Sequence, residues 1–167
     1  MIQDDDNLPF ENIINNHDES STRIIFTNTN GLNVYTDYQS LREVLINSKL
    51  HCTSVFLLAE TNTYWKNKRN YDNFGRIISQ YWKGAAVTTS ETNLNRDSIH
   101  KPGGTAIIVD NEIRSRKIKS REDSRGLGRW SYLTLYGRED RMVIFMPVYK
   151  LCIGPIYPTK KLTASTQ

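Results

Sequence analysis

The chain has 167 residues, enough for one domain with a sizeable core and hardly enough for two. Its hydrophobic fraction of 38% and charged fraction of 24% are those of an ordinary globular protein, and no apolar run approaches the roughly 18 residues of a membrane-spanning helix. The net charge is +4, but residues 1–20 carry six acids and no Lys or Arg, so the rest of the chain is strongly basic.

These properties set expectations for compartment and partner. Only Cys52 and Cys152 occur, in no zinc or redox spacing, which favours a reducing, intracellular location in the nucleus or cytoplasm. The first residues lack the basic start and apolar stretch of a secretory signal, and we expect no membrane association. A basic body suits a polyanion such as DNA, although lysines and arginines also simply solubilise a surface.

The front of the chain predicts alternating strands and helices. Residues 1–22 are polar and aperiodic and predict a disordered lead, and residues 23–27 (RIIFT) predict a buried strand. Thr36 or Asp37 can cap a helix, followed by a second buried strand at 54–59 (SVFLLA) and a helix over 72–82. The apolar face of the first helix is predicted to comprise Tyr38, Leu41, Val44, Leu45 and Leu50, and that of the second Phe74, Ile77, Ile78, Tyr81 and Trp82.

The back of the chain predicts strands joined by loops. Strands are predicted at 84–89, 105–110, 129–136 and 141–148, with a long polar loop at 90–103 and a hairpin link at 137–140. Residues 151–167 predict an irregular polar tail, which leaves 23–150 as the folded part. The order of elements predicts an α/β (α+β) protein with a mixed, largely antiparallel sheet flanked by helices, or two packed sheets.

Asn28 and Glu60 are the first candidates for chemistry. Each follows a strongly apolar strand, and ligand sites of α/β sheets collect at the carboxyl ends of strands. A carboxylate beside an amide is a hard-oxygen site suited to Mg²⁺. The alternative is that Asn28 is a turn residue and Glu60 an acid at the start of a helix.

Five short motifs in chain order resemble those of the endonuclease/exonuclease/phosphatase superfamily, which has the deoxyribonuclease I-like fold. They lie at 28–31 (NTNG), 57–61 (LLAET), 101–107 (KPGGTAI), 126–131 (GLGRWS) and 147–149 (PVY). Their succession looks most like the endonuclease domain of non-LTR retrotransposon polyproteins, over its N-terminal portion only. The fold implied is part of a four-layer α/β sandwich.

The resemblance also implies a site. Glu60 and Asn28 would bind Mg²⁺ (or Mn²⁺) and order the scissile phosphate, and Tyr149 would hydrogen-bond that phosphate. Members of the family also use a Gly-Asp-x-Asn element and a closing Ser-Asp-His element. This chain has no Gly-Asp dipeptide, and its histidines (His17, His51 and His100) all precede the expected place of the catalytic one.

Further residues are candidates for nucleic-acid contact. Residues 114–129 carry seven cations against two acids, and could follow a phosphate backbone or simply form a solvated strand edge guarded by charge. Trp65 lies among cations and could stack on a base, or could be one buried tryptophan that pins a loop. The candidate contacts are Asn30, Trp65, Lys66, Arg116, Lys117, Lys119 and Arg129.

The sequence therefore predicts a truncated, metal-dependent phosphodiesterase of the retrotransposon endonuclease type, with little or no activity alone. The alternatives are a non-catalytic nucleic-acid-binding module and a phosphatase-type member of the same superfamily. We also expect exposed apolar surface, marginal stability, and aggregation or pairing with a further chain or segment that completes the domain.

Overall fold

The computed structural model describes residues 21–32, 39–93 and 102–150. The predicted lead (except 21–22), the helix cap at Thr36 or Asp37, Tyr38, His17, His100 and the tail at 151–167 lie outside these residues. In chain order the elements are β1 (Ile24–Asn28), α1 (Gln39–Leu50), β2 (Val55–Ala59), α2 (Lys68–Tyr81), β3 (Ala86–Ser90), β4 (Thr105–Val109), α3 (Asn111–Ser115), β5 (Lys117–Glu122), β6 (Ser131–Tyr136) and β7 (Met142–Phe145).

The first sheet is mixed and has the strand order β1-β2-β4-β3. β1 and β2 are parallel, and β4 runs antiparallel to both of its neighbours, so β1, β2 and β3 all point the same way. In the register, Ala59 and Ser90 both pair with Thr105, the first residue of β4. The carboxyl ends of three strands therefore meet the start of the fourth along one edge, called the carboxyl edge below.

α1 and α2 cover one face of this sheet. Both β2 and β4 are buried along their whole length, and alternate residues such as Phe56 and Leu58 point toward the helices. The helices contribute Leu41, Leu45, Phe74, Ile77 and Ile78 to the same cluster. Full burial of a side chain of this size stabilises a fold by roughly 1.5–3 kcal/mol before entropy is counted.

The second sheet, β5-β6-β7, is antiparallel and packs on the other face of the first. Val55 and Leu57 of β2 and Ile107 and Val109 of β4 share a buried cluster with Leu133 and Leu135 of β6, and Phe145 of β7 packs against it. Helices, mixed sheet and antiparallel sheet form three layers, which confirms the predicted fold class: mixed and antiparallel sheets flanked by helices.

The structure corrects several predicted boundaries. α2 begins at Lys68 because the Asn67 side chain caps it by accepting the backbone N–H groups of Arg69 and Asn70. α3 and β5 were not predicted, and Leu50, expected on the buried face of α1, is 73% exposed at the helix end.

The outer edge of the second sheet is open and apolar in the part of the chain described here. On β7, Met142, Val143 and Ile144 are exposed. Beside it, Ile24 and Phe26 of β1 are also exposed, on the face of the first sheet that should meet the second. A groove of about 220 Å³ between β1 and β7 includes Ile24 and Val143 in its lining. The expected exposed apolar surface is thus present. None of the described helices has both the length and the apolar character to cross a membrane.

Candidate functional site

The carboxyl edge brings the predicted site residues together. Asn28 ends β1 and pairs with Ala59, so Glu60 follows directly on the neighbouring strand. The loop after β1 is bonded to Glu60 itself: Gly31 N–H donates to the Glu60 carbonyl at 2.7 Å, and the Thr29 hydroxyl donates to it at 3.0 Å. The backbones of the two candidate metal ligands are therefore held next to each other by hydrogen bonds.

Asn28 shapes the turn that follows it. Its side-chain oxygen accepts the N–H of Asn30 at 3.0 Å, which is the Asx-turn role that the alternative interpretation assigned to it. An amide oxygen has two lone pairs, so this hydrogen bond leaves one acceptor position. Asn28 and Asn30 are both exposed, and the turn role does not exclude a ligand at Asn28.

Glu60 has an unusual backbone conformation. Its φ is +52°, in the left-handed region that non-glycine residues rarely adopt and that costs roughly 1–2 kcal/mol. The alternative interpretation as a helix-start acid is wrong, because the next helix begins only at Lys68. Within the described ranges the half-buried Glu60 carboxylate is engaged in no hydrogen bond or ion pair. Such strain at a strand end is typical of functional positions.

Gly103 and Gly104 form the centre of the edge, at the start of β4. Asn62 and Gly103 exchange two hydrogen bonds, from Asn62 N–H to the Gly103 carbonyl and from Gly103 N–H to the Asn62 side-chain oxygen, at 2.7 and 2.8 Å. The ring of Tyr149 lies against Gly103, where an added Cβ would come within 3.3 Å of the Tyr149 ring. Tyr149 thus reaches the same edge as Asn28 and Glu60.

The end of β3 adds a carboxylate that the sequence interpretation missed. The Glu91 side chain is only 2% exposed, and its Oε2 accepts the backbone N–H of Lys66 at 3.1 Å. The Lys66 ammonium lies 4.0 Å from Glu91 Oε1 and donates to the Asn93 side-chain oxygen at 2.7 Å. A repeated tripeptide was the available signal, since Glu-Thr-Asn occurs at 60–62 and again at 91–93.

The loop between β5 and β6 is hydrogen-bonded to two other loops of the carboxyl edge. Gly104 N–H donates to the Gly128 carbonyl at 3.0 Å, and Asn93 N–H donates to the Gly126 carbonyl at 2.7 Å. Gly128 lies so close to the chain at Glu91 that an added Cβ would come within 2.6 Å of backbone atoms. Each loop of the carboxyl edge is therefore fixed by its neighbours.

Trp65 is buried in the loop after β2, and its predicted nucleic-acid contact is wrong. The side chain is 5% exposed, its ring packs on Phe74 at 4.6 Å, and its N–H donates to the hydroxyl of buried Thr61 at 3.3 Å. A base cannot stack on a ring covered in this way. Trp65 instead pins the β2–α2 loop, as the alternative interpretation proposed.

The other candidate contacts are accessible. Arg116 follows α3, Lys117 and Lys119 lie on the edge strand β5, and Arg129 precedes β6; all four side chains are exposed. β5 is thus a charged strand edge, and its position is compatible with nucleic-acid contact as well. His51 lies at the opposite end of the first sheet, where its carbonyl accepts from Arg23.

The oxygen donors at this edge fit a magnesium site in which solvent and substrate complete the coordination. Within the described ranges no group of three or more His, Cys, Asp or Glu side chains is placed to hold a metal. If a metal bound at this edge, Glu60 and Asn28 would offer it one carboxylate and one amide oxygen. Mg²⁺ accepts this arrangement, because it keeps several waters and binds through one or two carboxylates plus substrate phosphates.

The fold of this chain is similar to that of a solved structure, whereas its sequence gives no match. No protein-family model and no curated protein matches the sequence. Among solved structures, the chain resembles an endonuclease/exonuclease/phosphatase family protein from Leptotrichia buccalis C-1013-b, with a TM-score of 0.54 and 10% identity. The likeness covers 77% of this chain and 55% of that one, so the chain spans about half the length of its neighbour. At this identity the comparison establishes the fold.

Proposed function

We propose that this chain is a member of the endonuclease/exonuclease/phosphatase superfamily whose carboxyl edge binds a phosphodiester together with Mg²⁺ or Mn²⁺. The observation that carries the proposal is Glu60, a carboxylate held in a left-handed conformation at the end of a buried strand and beside Asn28. The family motifs and the fold likeness support the same assignment.

Each residue has a distinct task in the proposed site. Glu60 and Asn28 hold the metal, which when bound supplies Lewis-acid stabilisation of the phosphate and the leaving oxygen. Tyr149, fixed by its contact with Gly103 and by its backbone N–H bond to the Arg129 carbonyl, donates its hydroxyl to a phosphate oxygen. The interlocked loops keep these groups in place without the motion that a flexible loop would need.

The proposed activity of this chain alone is weak. The Gly-Asp-x-Asn and Ser-Asp-His elements that position the attacking water and stabilise the phosphoryl oxygens have no counterpart in the sequence. Without a general base and its electrostatic partner, the rate falls by about a thousandfold or more. We propose that a further chain or segment supplies these groups.

DNA is the proposed substrate. The exposed cations run from Arg116 and Lys117, next to α3, through Lys119 to Arg129 beside the carboxyl edge, and so suit a polyanion that extends beyond the site. The motif succession resembles that of retrotransposon endonucleases. A phosphatase-type substrate is the second candidate within the superfamily. A non-catalytic nucleic-acid-binding module is the candidate from another class.

The test combines binding and cleavage by the purified chain, Glu60→Ala and the control Glu112→Ala, an exposed acid on α3 at the opposite end of the first sheet. We expect Mg²⁺ to strengthen binding of a duplex oligonucleotide by wild type and the control, but not by Glu60→Ala, with plasmid nicking near background for all three. A DNA affinity that falls steeply with salt but changes neither with Mg²⁺ nor with Glu60→Ala would favour the binding module instead. Mg²⁺-dependent nicking abolished by Glu60→Ala would confirm the site and overturn the proposed lack of activity.

A further inference from the structure

The Lys66 ammonium lies between two side chains of the loop after β3 at the carboxyl edge. Its ammonium donates to the Asn93 side-chain oxygen at 2.7 Å and lies 4.0 Å from Glu91 Oε1, while its backbone N–H donates to Glu91 Oε2. The side chain nevertheless remains 55% exposed. An ammonium has three donors, so a solvent-side ligand can bind without breaking the bond to Asn93.

Glu91 and Asn93 are themselves anchored. Glu91 is buried at the end of β3, with the backbone of Gly128 packed against it. Asn93 donates its backbone N–H to the Gly126 carbonyl, and its side chain lies on Gly126. A buried carboxylate needs compensation by charge and hydrogen bonds, which the loop carrying Lys66 supplies. The hydrogen bond to Asn93 therefore directs the ammonium before any ligand arrives, which reduces the entropy lost on binding.

The Lys66 ammonium lies beside Glu91, which follows a different strand of the sheet from Glu60. Glu60 follows β2 and Glu91 follows β3, and one strand, β4, separates these two. Two strand spacings are about 10 Å. This is the separation of the Glu60 and Glu91 backbones, and a cation held on the Glu91 side of the edge is suited to a neighbouring phosphate of a chain rather than to the phosphate at Glu60.

We infer that Lys66 binds a second phosphate of the substrate, with Glu91 and Asn93 as its positioning residues, so that the site takes a polynucleotide rather than a compound with one phosphate. The inference rests on the proposed function and names its substrate class. It separates the two candidates within the superfamily, because a phosphatase-type substrate with one phosphate gives Lys66 nothing to bind.

The experiment measures binding of two probes in the presence of Mn²⁺: a fluorescent single-stranded 12-nucleotide DNA and inorganic phosphate. The full chain is compared with Lys66→Ala, Lys66→Arg, Glu91→Gln and the matched control Lys68→Ala, whose ammonium pairs with Asp72 on α2. Thermal melting checks that each variant folds.

We expect Lys66→Ala to weaken DNA binding about tenfold and to reduce the slope of log K against log salt by about 0.7, the value for one contact to a single strand. Phosphate binding should change by less than about twofold, Lys66→Arg should retain most of the DNA affinity, and Lys68→Ala should behave as wild type. Glu91→Gln should lower DNA affinity about threefold and leave phosphate binding intact, which a general loss of structure would not do.

Three results would overturn the inference: unchanged DNA binding by Lys66→Ala, an equal loss of DNA and phosphate binding, or an equal loss in Lys68→Ala. Failure of the proposed function has a different signature. In that case Glu60→Gln leaves Mn²⁺-dependent binding of both probes unchanged, whatever Lys66→Ala does.

Discussion

The carboxyl edge of the first sheet and the outer edge of the second sheet are built in opposite ways. At the carboxyl edge, Glu60, Asn62, Gly103, Gly104 and Gly128 all have positive φ, and every loop is bonded to the next. At β7, the residues from 142 to 149 carry no charge, and their apolar side chains are exposed. One region holds left-handed backbone in place through many contacts, with a steric cost only at Glu60 and Asn62. The other leaves apolar surface without cover among the described residues.

The two edge strands of the second sheet also differ in charge. β5 carries Lys117, Lys119 and Arg121, and repulsion between such charges opposes pairing with another strand. β7 carries no charged residue that would oppose such pairing. Strain that is held by neighbours indicates a site, and an unguarded apolar edge indicates a surface that associates.

The largest expected effect on stability comes from filling the space at Gly128. A Cβ there would lie 2.6 Å from backbone atoms of Glu91 and Thr92, at a φ of +62°. Gly128→Ala should lower the free energy of unfolding by about 2–4 kcal/mol, measured by urea denaturation. Gly75→Ala is the matched control: its added methyl meets nothing within 4 Å on helix α2, so it should raise stability by about 0.5–1 kcal/mol. Equal changes in the free energy of unfolding for the two variants would contradict the close packing of Gly128 against the chain at Glu91.

Glu60→Gly should stabilise the fold while abolishing metal-dependent binding. Glycine removes a left-handed penalty of roughly 1–2 kcal/mol and adds roughly 0.5–1 kcal/mol of unfolded-state entropy, for a net gain of about 0.5–1 kcal/mol. Asn30→Gly, at a φ of +45°, should gain less because asparagine tolerates this region. Loss of stability in Glu60→Gly would mean that the carboxylate has a structural partner instead.

Ile144→Lys should change self-association far more than stability. Ile144 is 61% exposed on β7, so the free energy of unfolding should move by less than about 0.5 kcal/mol. Analytical ultracentrifugation should show self-association of the wild type and a monomer for the variant. A wild type that sediments as a monomer and melts cooperatively would show that the exposed β7 edge is tolerated.

The smallest effect is expected outside both regions, at the Lys68–Asp72 pair on α2. The hydrogen bond from Lys68 to Asp72 and the charge of that carboxylate raise the pKa of Lys68 above its usual 10.5. A raised lysine pKa stabilises the fold below the unfolded value, and this contribution disappears as pH rises through the folded pKa. Because the pair is fully exposed, solvent screens it, and Asp72→Asn should leave the melting temperature at neutral pH unchanged. A clear fall in the melting temperature of Asp72→Asn would show that exposed ion pairs contribute to the stability of this fold.

Much of the fold is readable from the sequence because its core strands are dense in apolar residues. β1, β2 and β4 were predicted within one or two residues, since β-branched runs bounded by polar turns leave few alternatives. β5 was missed because Ile118 is the only apolar residue in it, and its pairing with β6 holds it in the sheet. The start of α2 was not predicted because the Asn67 cap, and not an apolar pattern, sets the position of its first turn.

The site was partly predictable for a similar reason. Asn28 and Glu60 follow apolar strands, so the register of β1 and β2 was enough to bring them together. The positions of Glu91 and Lys66 depend on β3 lying beyond β4 in the sheet, an order that local patterns do not contain. Burial of Trp65 was not predicted because the polar and charged residues beside it in the sequence suggest an exposed loop, whereas its ring packs on Phe74 of α2 and its N–H donates to Thr61.

Mn²⁺ binding, followed by the loss of free-ion signal in electron paramagnetic resonance, tests the central claim most directly. The comparison is between wild type, Glu60→Gln and Glu112→Gln, the last an exposed acid at the opposite end of the first sheet. We expect weak binding by wild type and Glu112→Gln and none by Glu60→Gln. Equal binding by all three proteins, or none by wild type, would contradict a metal site at Glu60.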